Sequence, residues 1–529
     1  MKRCIISSIF VLLSIGAYAQ KLNSTVDVSN DYLSSFGAFS KSDIPMCIPD
    51  SLLQFNKDFD YTVFENPFKG SYEFSPYSVQ IKPEAGDYGV RRFYIRAGAG
   101  WQMYPVLDAF FSPELKSNPS LKLSIYQKGG GFFGKYCNSK GEKLKDNYLN
   151  LNERFGSVIH YDTKRLSLSF DAAYDGVYGG VVSDPTLMHG ADLSLDLRTL
   201  GNRFFAYRLK LDYEFSSVRK VNENYADMLM TLEPKTRKAL SFPLDIRAQY
   251  TGGKYLASVV PHIRLRYSWV DLTIGAKLTY WNGGEKKFKI NPDVHVNFNI
   301  KDAATIYLDA DGGQKFISKG EVLHYNAQIT KIDFTHCDVT ARFNAGVRGR
   351  IGGSFEYDVN GGFTFYNEAP LDYLIQYPQG SLNGNGNIVC LNLLKYNLAY
   401  ANAVLSYKSE RLDIDAGLHY RFTNLTGDFQ AFDLPMFSGS LRLTYNWQKR
   451  IFVGIGAEGS TERTGAYLEK PIRSYLPWYI DLGASAEYRI TREFGIWVRG
   501  TNLLNRTIMR RPLYVEKGIN VTGGISLNF

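Results

Sequence analysis

The sequence predicts an all-β protein, a transmembrane antiparallel β-barrel of about 20–22 strands with a short N-terminal extension. Three observations support this prediction. Apolar and polar residues alternate in segments of about ten residues that recur along the chain, which is the length of a membrane-crossing strand. Aromatic residues make up 15% of the chain and often lie near strand ends, as at a membrane interface. After the first twenty residues, no apolar stretch is long enough for a transmembrane helix.

The last ten residues show the alternation most clearly. Their apolar set is Val521, Gly523, Ile525, Leu527 and Phe529, and their polar set is Asn520, Thr522, Gly524, Ser526 and Asn528. The segments Leu412–Phe422 and Trp478–Tyr488 repeat the pattern with charged residues on the second face. A two-residue period places the two sets on opposite faces of a strand. The terminal aromatic residue resembles the ending of bacterial outer-membrane β-barrel proteins.

The N-terminal part of the chain differs from the rest. Lys2 and Arg3 precede the apolar run Ile5–Ile15, and Ala17-Tyr18-Ala19 follows it, so residues 1–19 are predicted to be a secretory signal peptide. Residues 20–89 are rich in proline and show little alternation. We expect them to form a periplasmic or lumen-threading extension without a large core of its own. Residues 90–529 are predicted to form the barrel.

Connections of two lengths separate the predicted strands. Lys408–Arg411 is typical of the tight turns, whereas Gly129–Leu149, Lys220–Lys238 and Asp311–Phe334 are typical of the long polar loops. Outer-membrane barrels have short turns on the periplasmic side and long loops on the other. About twenty-one candidate strands are recognised, and a closed barrel with both termini on one side needs an even number. The segment Ala239–Trp269 is the weakest strand assignment.

The C-terminal region contains a recognisable motif. Asn502-Leu503-Leu504-Asn505 ends a strand, Tyr514 follows, and the final strand ends at Phe529. This arrangement resembles the C-terminal signature of TonB-dependent receptors, and the chain is similar to barrels of this kind from Bacteroidota. The resemblance implies a place in the outer membrane of a Gram-negative bacterium and a role in transport, either receptor-like or porin-like. That family carries a plug domain far larger than residues 20–89, so a barrel without a recognisable plug is expected.

The expected partners follow from this assignment. They are outer-membrane lipid and lipopolysaccharide, the barrel-assembly machinery through the C-terminal strand, and surface or periplasmic lipoproteins. Engagement of TonB is left open because energy-coupled uptake does not carry over without the plug. We expect no nucleic-acid partner, no metal and no cofactor.

Charged residues of both signs occupy the polar register or the ends of the predicted strands. These candidate lumen-lining residues are Arg342, Arg348, Glu356, Asp358, Asp413, Asp415, His419, Arg421, Arg442, Glu458, Glu487, Arg489 and Arg499. They can solvate a channel, or they can brace the wall through pairs between neighbouring strands. Because neither sign dominates, a strongly ion-selective pore is not expected.

Two patterns that could indicate an enzyme are weak. Asp413, Asp415 and His419 share one strand face, and an Asp/His pairing resembles the one that outer-membrane proteases use to activate water. General-base catalysis needs an orienting partner within hydrogen-bond reach, and no second cluster is recognisable. Gly129–Lys135 has the spacing of a phosphate-binding loop, but Tyr136 stands where the magnesium-binding hydroxyl belongs. We therefore expect a protein that is not an enzyme.

Three functions follow from the sequence. The first is the uptake or passage of solutes across the outer membrane. The alternative is a barrel that transports nothing and serves as a membrane scaffold for lipoproteins or an assembly complex. An outer-membrane hydrolase comes third.

Overall fold

The computed structural model describes the chain from Arg92 to Phe529 apart from several gaps. The gaps are residues 101–104, 116–117, 119, 138–142, 182–183, 201–204, 219–220, 235–238, 285–286, 301–303, 327–328, 332–334, 377–386, 426–433, 466–473, 512–513 and 517. The predicted signal peptide and N-terminal extension lie outside the described residues, as does any plug. None of the helices in the described part is long and apolar enough to cross a membrane.

A closed antiparallel barrel of 22 strands forms the molecule, which confirms the predicted fold class. The strands in chain order are β1 Phe93–Gly100, β2 Val106–Phe111, β3 Leu121–Cys137, β4 Lys143–Asp162, β5 Leu166–Val181, β6 Asp184–Thr199, β7 Phe205–Val218, β8 Val221–Pro234, β9 Leu240–Ser241, β10 Leu244–Thr251, β11 Lys254–Arg266, β12 Val270–Trp281, β13 Phe288–Ile300 and β14 Ala304–Ile317. The helix α1, Lys319–Tyr325, follows. The remaining strands are β15 Ile329–Lys331, β16 Thr335–Ile351, β17 Phe355–Gln376, β18 Asn387–Lys408, β19 Leu412–Thr423, β20 Phe437–Trp447, β21 Ile451–Ser460, β22 Arg463–Gly465, β23 Ser474–Leu476, β24 Tyr479–Arg489, β25 Phe494–Thr501, β26 Ile508–Arg511, β27 Tyr514–Glu516 and β28 Asn520–Asn528. The short strands β9, β15, β22, β23, β26 and β27 lie in the connections between barrel strands.

The first and last strands close the barrel. β1 pairs with β28 in antiparallel register, from Tyr94 opposite Asn528 to Gly100 opposite Thr522. The N–H of Phe93 donates to the carbonyl oxygen of Phe529 at 2.9 Å, and the N–H of Phe529 donates to the carbonyl oxygen of Phe93 at 2.8 Å. The terminal residue therefore takes part in the closure of the wall through its backbone, which leaves no open sheet edge at this point.

The two faces of the wall have the polarity that the alternation predicts. On β17, Phe363 is 60% exposed and Val359 is 50% exposed, whereas Asp358 on the other face of the same strand is 5% exposed. On β28, Val521 and Ile525 are exposed, whereas the polar residues Thr522 and Ser526 that follow each of them are buried. An apolar outer face and a polar inner face are what a membrane-spanning barrel needs.

The strands differ in length around the barrel, and two segments that the sequence predicts to be loops are mostly strand. β3 continues to Cys137 and β4 starts at Lys143, so most of Gly129–Leu149 is strand, and most of Lys220–Lys238 is β8. Both segments contain many polar residues. The ends of β3 and β4 next to their connection show no clear apolar alternation, and β8 begins with polar residues before its alternation starts. The weakly assigned segment Ala239–Trp269 forms the hairpin β10–β11. Its turn uses Gly252 and Gly253, whose φ angles of 50° and 80° suit glycine.

The two ends of the barrel differ in the connections that they carry. The short-turn rim carries the β4–β5, β18–β19 and β20–β21 turns together with both ends of the described chain. The long-loop rim carries the β14–β16, β21–β24 and β25–β28 connections, and these three hold the structural elements described next.

Candidate functional site: the polar inner wall and an inward-folded loop

The end of β14 leaves the wall and leans into the barrel. β14 pairs with β13 only as far as Asp311, while its pairing with β16 continues to Ile317 after a register shift between Asp311 and Gly313. Gly313 has φ 147°, a backbone conformation that residues with a Cβ atom rarely adopt. Beyond the shift, the N–H of Phe316 donates to the side-chain oxygen of Gln249 on β10 at 3.0 Å. The chain that follows β14 is thereby directed inward.

Helix α1 begins inside the long-loop rim and is capped by Ser318. The Ser318 hydroxyl accepts the N–H of Glu321 at 2.9 Å, which satisfies one of the free donors of the first turn. The same hydroxyl donates to Glu214 on β7 at 2.7 Å. Gly320 lies against Glu214 so closely that a Cβ at this position would overlap the carboxylate. The start of α1 is therefore fixed to a distant part of the wall.

Two further wall carboxylates bind α1. The N–H of Lys319 donates to Glu223 on β8 at 2.7 Å, and the His324 ring hydrogen-bonds Asp175 on β5. We call Asp175, Glu214 and Glu223 the acidic wall. Burial by itself lowers the pKa of His324, but the hydrogen bond and the charge of Asp175 outweigh it and hold this pKa above its ordinary value. One apolar contact accompanies these polar ones, because Leu323 packs in a small buried cluster with wall residues of β5, β6 and β7.

The opposite side of α1 is apolar and belongs to a larger buried cluster, which we call the cap cluster. Its members come from the end of β14, from α1 and the segment after it, from the long strands β16–β18, and from the two connections that follow β21 and β25. They are Ile317, Val322, Tyr325, Ile329, Cys337, Tyr366, Ala369, Leu371, Tyr396, Leu398, Tyr400, Leu476, Met509 and Val515. Tyr366 and Tyr396 stack at 4.6 Å between ring centroids. Part of the long-loop rim therefore has a hydrophobic core of its own.

A buried arginine fixes the β26–β27 hairpin to the wall. Arg510 donates to Asp481 at 2.6 Å, to Glu458 at 2.7 Å and to Glu516 at 2.9 Å. Beside it, Arg463 donates to the carbonyl oxygens of Met509 and Arg510, each at 2.7 Å. Three carboxylates that would be costly to bury alone are thus hydrogen-bonded to one guanidinium.

The same hairpin extends the barrel wall at the long-loop rim, beyond the point where β1 pairs with β28. β25, β28, β1 and β2 are short, and β27 pairs instead with the upper part of β3, where Tyr514 lies opposite Tyr136. The Asn502-Leu503-Leu504-Asn505 motif makes the turn into this connection. Asn502 and Asn505 have φ 50° and 51°, and the Asn502 side chain bonds both the N–H and the carbonyl oxygen of Arg506 at 3.0 and 2.7 Å. Asparagine tolerates this left-handed conformation better than most residues.

Several of the candidate lumen-lining residues form polar contacts between strands of the wall. Arg342 donates to Asp311, with Nε at 3.0 Å, and Glu356 accepts from Arg350. The Tyr307 hydroxyl donates to Asp358 at 2.6 Å. All of these contacts lie on the polar face of the wall.

The remaining candidates lie on the same face in the second half of the barrel. Arg348 lies over the Tyr307 ring at 5.3 Å and Arg489 over the Phe452 ring at 4.2 Å. Glu487 accepts from the Ser526 hydroxyl at 3.2 Å. Asp413 and Arg421 are on β19, Arg442 is on β20 opposite Asp415, Glu458 is on β21 beside Arg510, and Arg499 is on β25 opposite Thr522.

The hydrolase candidates are not brought together. Asp415 accepts from the Ser406 hydroxyl at 2.6 Å, whereas His419 contacts the side-chain oxygen of Asn402 at 2.9 Å. Each side chain therefore has a different partner on β18. In the part of the chain that the structure describes, no group of three or more His, Cys, Asp or Glu side chains is placed to hold a metal ion.

The inward fold of α1 is not evident from the sequence, because Asp311–Phe334 has the composition of a long polar loop. One local signal was present. Ser318 precedes Glu321 by three residues, which is the spacing of a helix capping box. The wall residues that bind α1, by contrast, are distant from it in sequence, since Asp175 precedes His324 by 149 residues.

Comparison with known proteins identifies the fold. Neither a family model nor a curated protein matches the sequence. Among solved structures, the chain is similar to the copper transporter OprC, with a TM-score of 0.57, 12% identity, and coverage of 83% of this chain and 80% of that one. It is similar to the siderophore receptor PiuA from Acinetobacter baumannii, with a TM-score of 0.57, 11% identity, and coverage of 83% and 82%. It is also similar to the ferric-catecholate import receptor Fiu from E. coli K12 in a closed form, with a TM-score of 0.59, 8% identity, and coverage of 83% and 82%.

The predicted resemblance to the barrel of TonB-dependent receptors is therefore confirmed at the level of the fold. At these identities the likeness concerns the fold alone.

Proposed function

We propose that this chain is an outer-membrane barrel that resembles the TonB-dependent receptors and takes part in the passage of solutes across the outer membrane of a Gram-negative bacterium. The observation that carries the proposal is the closed wall of 22 strands with a polar, charge-bearing inner face. A barrel of this width leaves an interior that wall side chains cannot fill. Similarity to a copper transporter and to siderophore receptors supports a transporter-like barrel.

The candidate lumen-lining residues have a defined role in this proposal. Arg342, Glu356 and Asp358 belong to the braced part of the wall, and Arg421, Arg442 and Arg499 provide charge on the β19–β25 side. A polar surface that carries both positive and negative charges keeps the interior hydrated. Because neither sign dominates, it creates no strong electrostatic field that would exclude solutes of one charge. The cargo is left as a solute without further definition, because neither copper nor a siderophore carries over from the similar proteins.

A specific observation favours the scaffold function as a second candidate. The cap cluster closes part of the long-loop rim with buried apolar side chains, and a closed rim with folded connections also suits a platform for lipoproteins. The two functions make opposite predictions for the segment before the barrel, Lys21–Pro83.

The test is removal of Lys21–Pro83 from the full chain, with a flexible segment of equal length in its place as the matched control. For a transport barrel that this segment obstructs, the deletion increases the rate at which reconstituted liposomes swell in small sugars, and co-purifying proteins do not change. For a scaffold, swelling stays at the level of empty liposomes and partner lipoproteins are lost. That second result would contradict the proposed function.

A further inference from the structure

The two sides of α1 are held to the barrel by different kinds of contact. On one side, Val322 and Tyr325 are buried in the cap cluster, and the Asn326 side chain donates to Asp372 on β17 at 2.8 Å. Arg511 of the β26–β27 hairpin also donates to the carbonyl oxygen of Tyr325. This side joins α1 to the cap cluster through an extensive apolar core together with polar contacts.

The other side of α1 meets the acidic wall almost entirely through polar contacts. The Ser318 hydroxyl, the Lys319 N–H and the His324 ring bind Glu214, Glu223 and Asp175. Leu323 is the α1 member of the small apolar cluster on this side. Water can replace hydrogen bonds to a carboxylate, but it cannot replace apolar packing. Separation of α1 from the barrel is therefore easiest along the acidic wall, with α1 remaining on the cap cluster.

We infer that α1 is a gate, that it opens along the acidic wall, and that the passage so formed admits cationic solutes. This inference rests on the proposed function and specifies where the solute passes and of what charge it is. The observation behind it is the juxtaposition of a helix that lies between the acidic wall and the cap cluster, polar contacts on one side of it, and wall carboxylates that the helix now binds.

The charges along the opened passage determine the class of solute. Asp192 on β6 lies beside the acidic wall, which gives four carboxylates on β5–β8. Arg154 on β4 lies 2.8 Å from Asp192 and 3.8 Å from Asp175 and offsets one of them. Asp175 is 4% exposed and one of its carboxylate oxygens lacks a hydrogen-bond partner. A constriction lined in this way attracts cations and repels anions.

Amide hydrogen exchange of the purified full chain tests the motion without depending on conduction. The amides of Lys319, Val322 and Asn326 are hydrogen-bonded and report opening and helix integrity. Asp175→Asn replaces the charged partner of His324, so exchange in residues 318–326 should accelerate about tenfold, as expected for the loss of one hydrogen bond to a charged group. Exchange in β26 and β27 should stay at the wild-type rate.

A matched variant is available at the other end of the barrel. His160 and Asp162 form a His/Asp pair of 2.7 Å at the short-turn rim, so Asp162→Asn makes the same chemical change far from α1. It should leave exchange in residues 318–326 unchanged. Wild-type exchange of α1 in Asp175→Asn, or equal acceleration of α1 and of β26–β27, would overturn the gate, because α1 would then be fixed or would move only with the whole cap cluster.

Reversal potentials across a planar bilayer with a potassium chloride gradient test the solute class. Openings of the Asp175→Asn protein should be cation-selective, and Glu223→Gln added to it should reduce the cation preference, whereas added Asp162→Asn should not. Anion-selective or unselective openings would overturn the cationic class. If amide exchange in α1 responds as expected but neither Asp175→Asn nor the double variant with Glu223→Gln conducts, the opening of α1 is supported and the proposed function fails.

Discussion

At the scale of single residues, Arg510 is the side chain on which the long-loop rim depends most. It is buried and pairs with Glu458, Asp481 and Glu516, which come from two wall strands and from its own hairpin. The penalty for burying these carboxylates is offset only while the guanidinium is present. Its role is therefore to fix a connection in place rather than to bind a solute.

Arg510→Met should destabilise the barrel by about 3–5 kcal/mol, because it leaves buried charges without their partner. Arg506→Met is the control, since Arg506 is exposed and lies over the Trp478 ring at 5.0 Å, and its loss should cost about 1 kcal/mol or less. Urea unfolding of the protein in lipid vesicles measures both. Equal stabilities of the two variants would contradict the assigned role of Arg510.

The pH dependence of α1 follows from His324. Asp175 on β5, Glu214 on β7 and Arg154 on β4 face this ring, and the resulting pKa lies above the ordinary value of 6.5. A raised pKa means that the contact between α1 and the wall has its full strength below about pH 6.5 and loses it as the pH rises through the raised value. Amide exchange in residues 318–326, corrected for the intrinsic pH effect, should therefore accelerate at alkaline pH. His324→Gln should remove this acceleration of exchange at alkaline pH. An acceleration of the same size in that variant would refute the role assigned to His324.

At the scale of elements, the Asn502–Asn505 turn explains why a family-like motif stands at the end of β25. The turn leads the chain from a short wall strand into the β26–β27 hairpin, which completes the wall beside β3. Both asparagines have positive φ, but the structure gives only Asn502 a side-chain bridge to Arg506 within this turn. The two positions should therefore respond differently to substitution.

Asn502→Ala should cost about 2–3 kcal/mol, through strain in the left-handed conformation and loss of the bridge. Asn505→Gly should be close to neutral, because glycine accepts φ 51° without strain. The same urea unfolding experiment compares them. If Asn505→Gly proved as destabilising as Asn502→Ala, the backbone account of the motif would be wrong.

The sequence was sufficient to predict the elements whose signal is local. The alternation in Asn520–Phe529 and Leu412–Phe422 predicted membrane-crossing strands, because one face of such a strand meets lipid. α1 could not be predicted in the same way. Its seven residues span fewer than two helical turns, too few for an apolar period, and its contacts with Asp175 and Glu214 arise only when the barrel brings distant strands together. The strand β8 is not evident from the sequence for a related reason, because its first residues, Asn222, Glu223 and Asn224, are all polar and Leu229 interrupts the alternation that follows.

At the scale of the whole molecule, the barrel combines a continuous wall with a partly closed end. The short-turn rim holds the termini of the described chain together through Phe93 and Phe529, and the long-loop rim carries the cap cluster and α1. A closed wall explains the membrane location that we propose, while the state of the long-loop rim decides whether solutes pass. Within the part of the chain that the structure describes, this is the point at which transport and scaffold functions differ.

Single-channel conductance in a planar bilayer tests this account most directly. The protein should be the folded full chain, verified by heat-modifiable migration, beside a variant in which a flexible linker replaces Lys319–Tyr325. The account predicts brief, infrequent openings of the full chain and long, large openings of the variant, since α1 lies inside the long-loop rim between the acidic wall and the cap cluster. Silence from both folded proteins would contradict a solute passage through this barrel and would favour the scaffold.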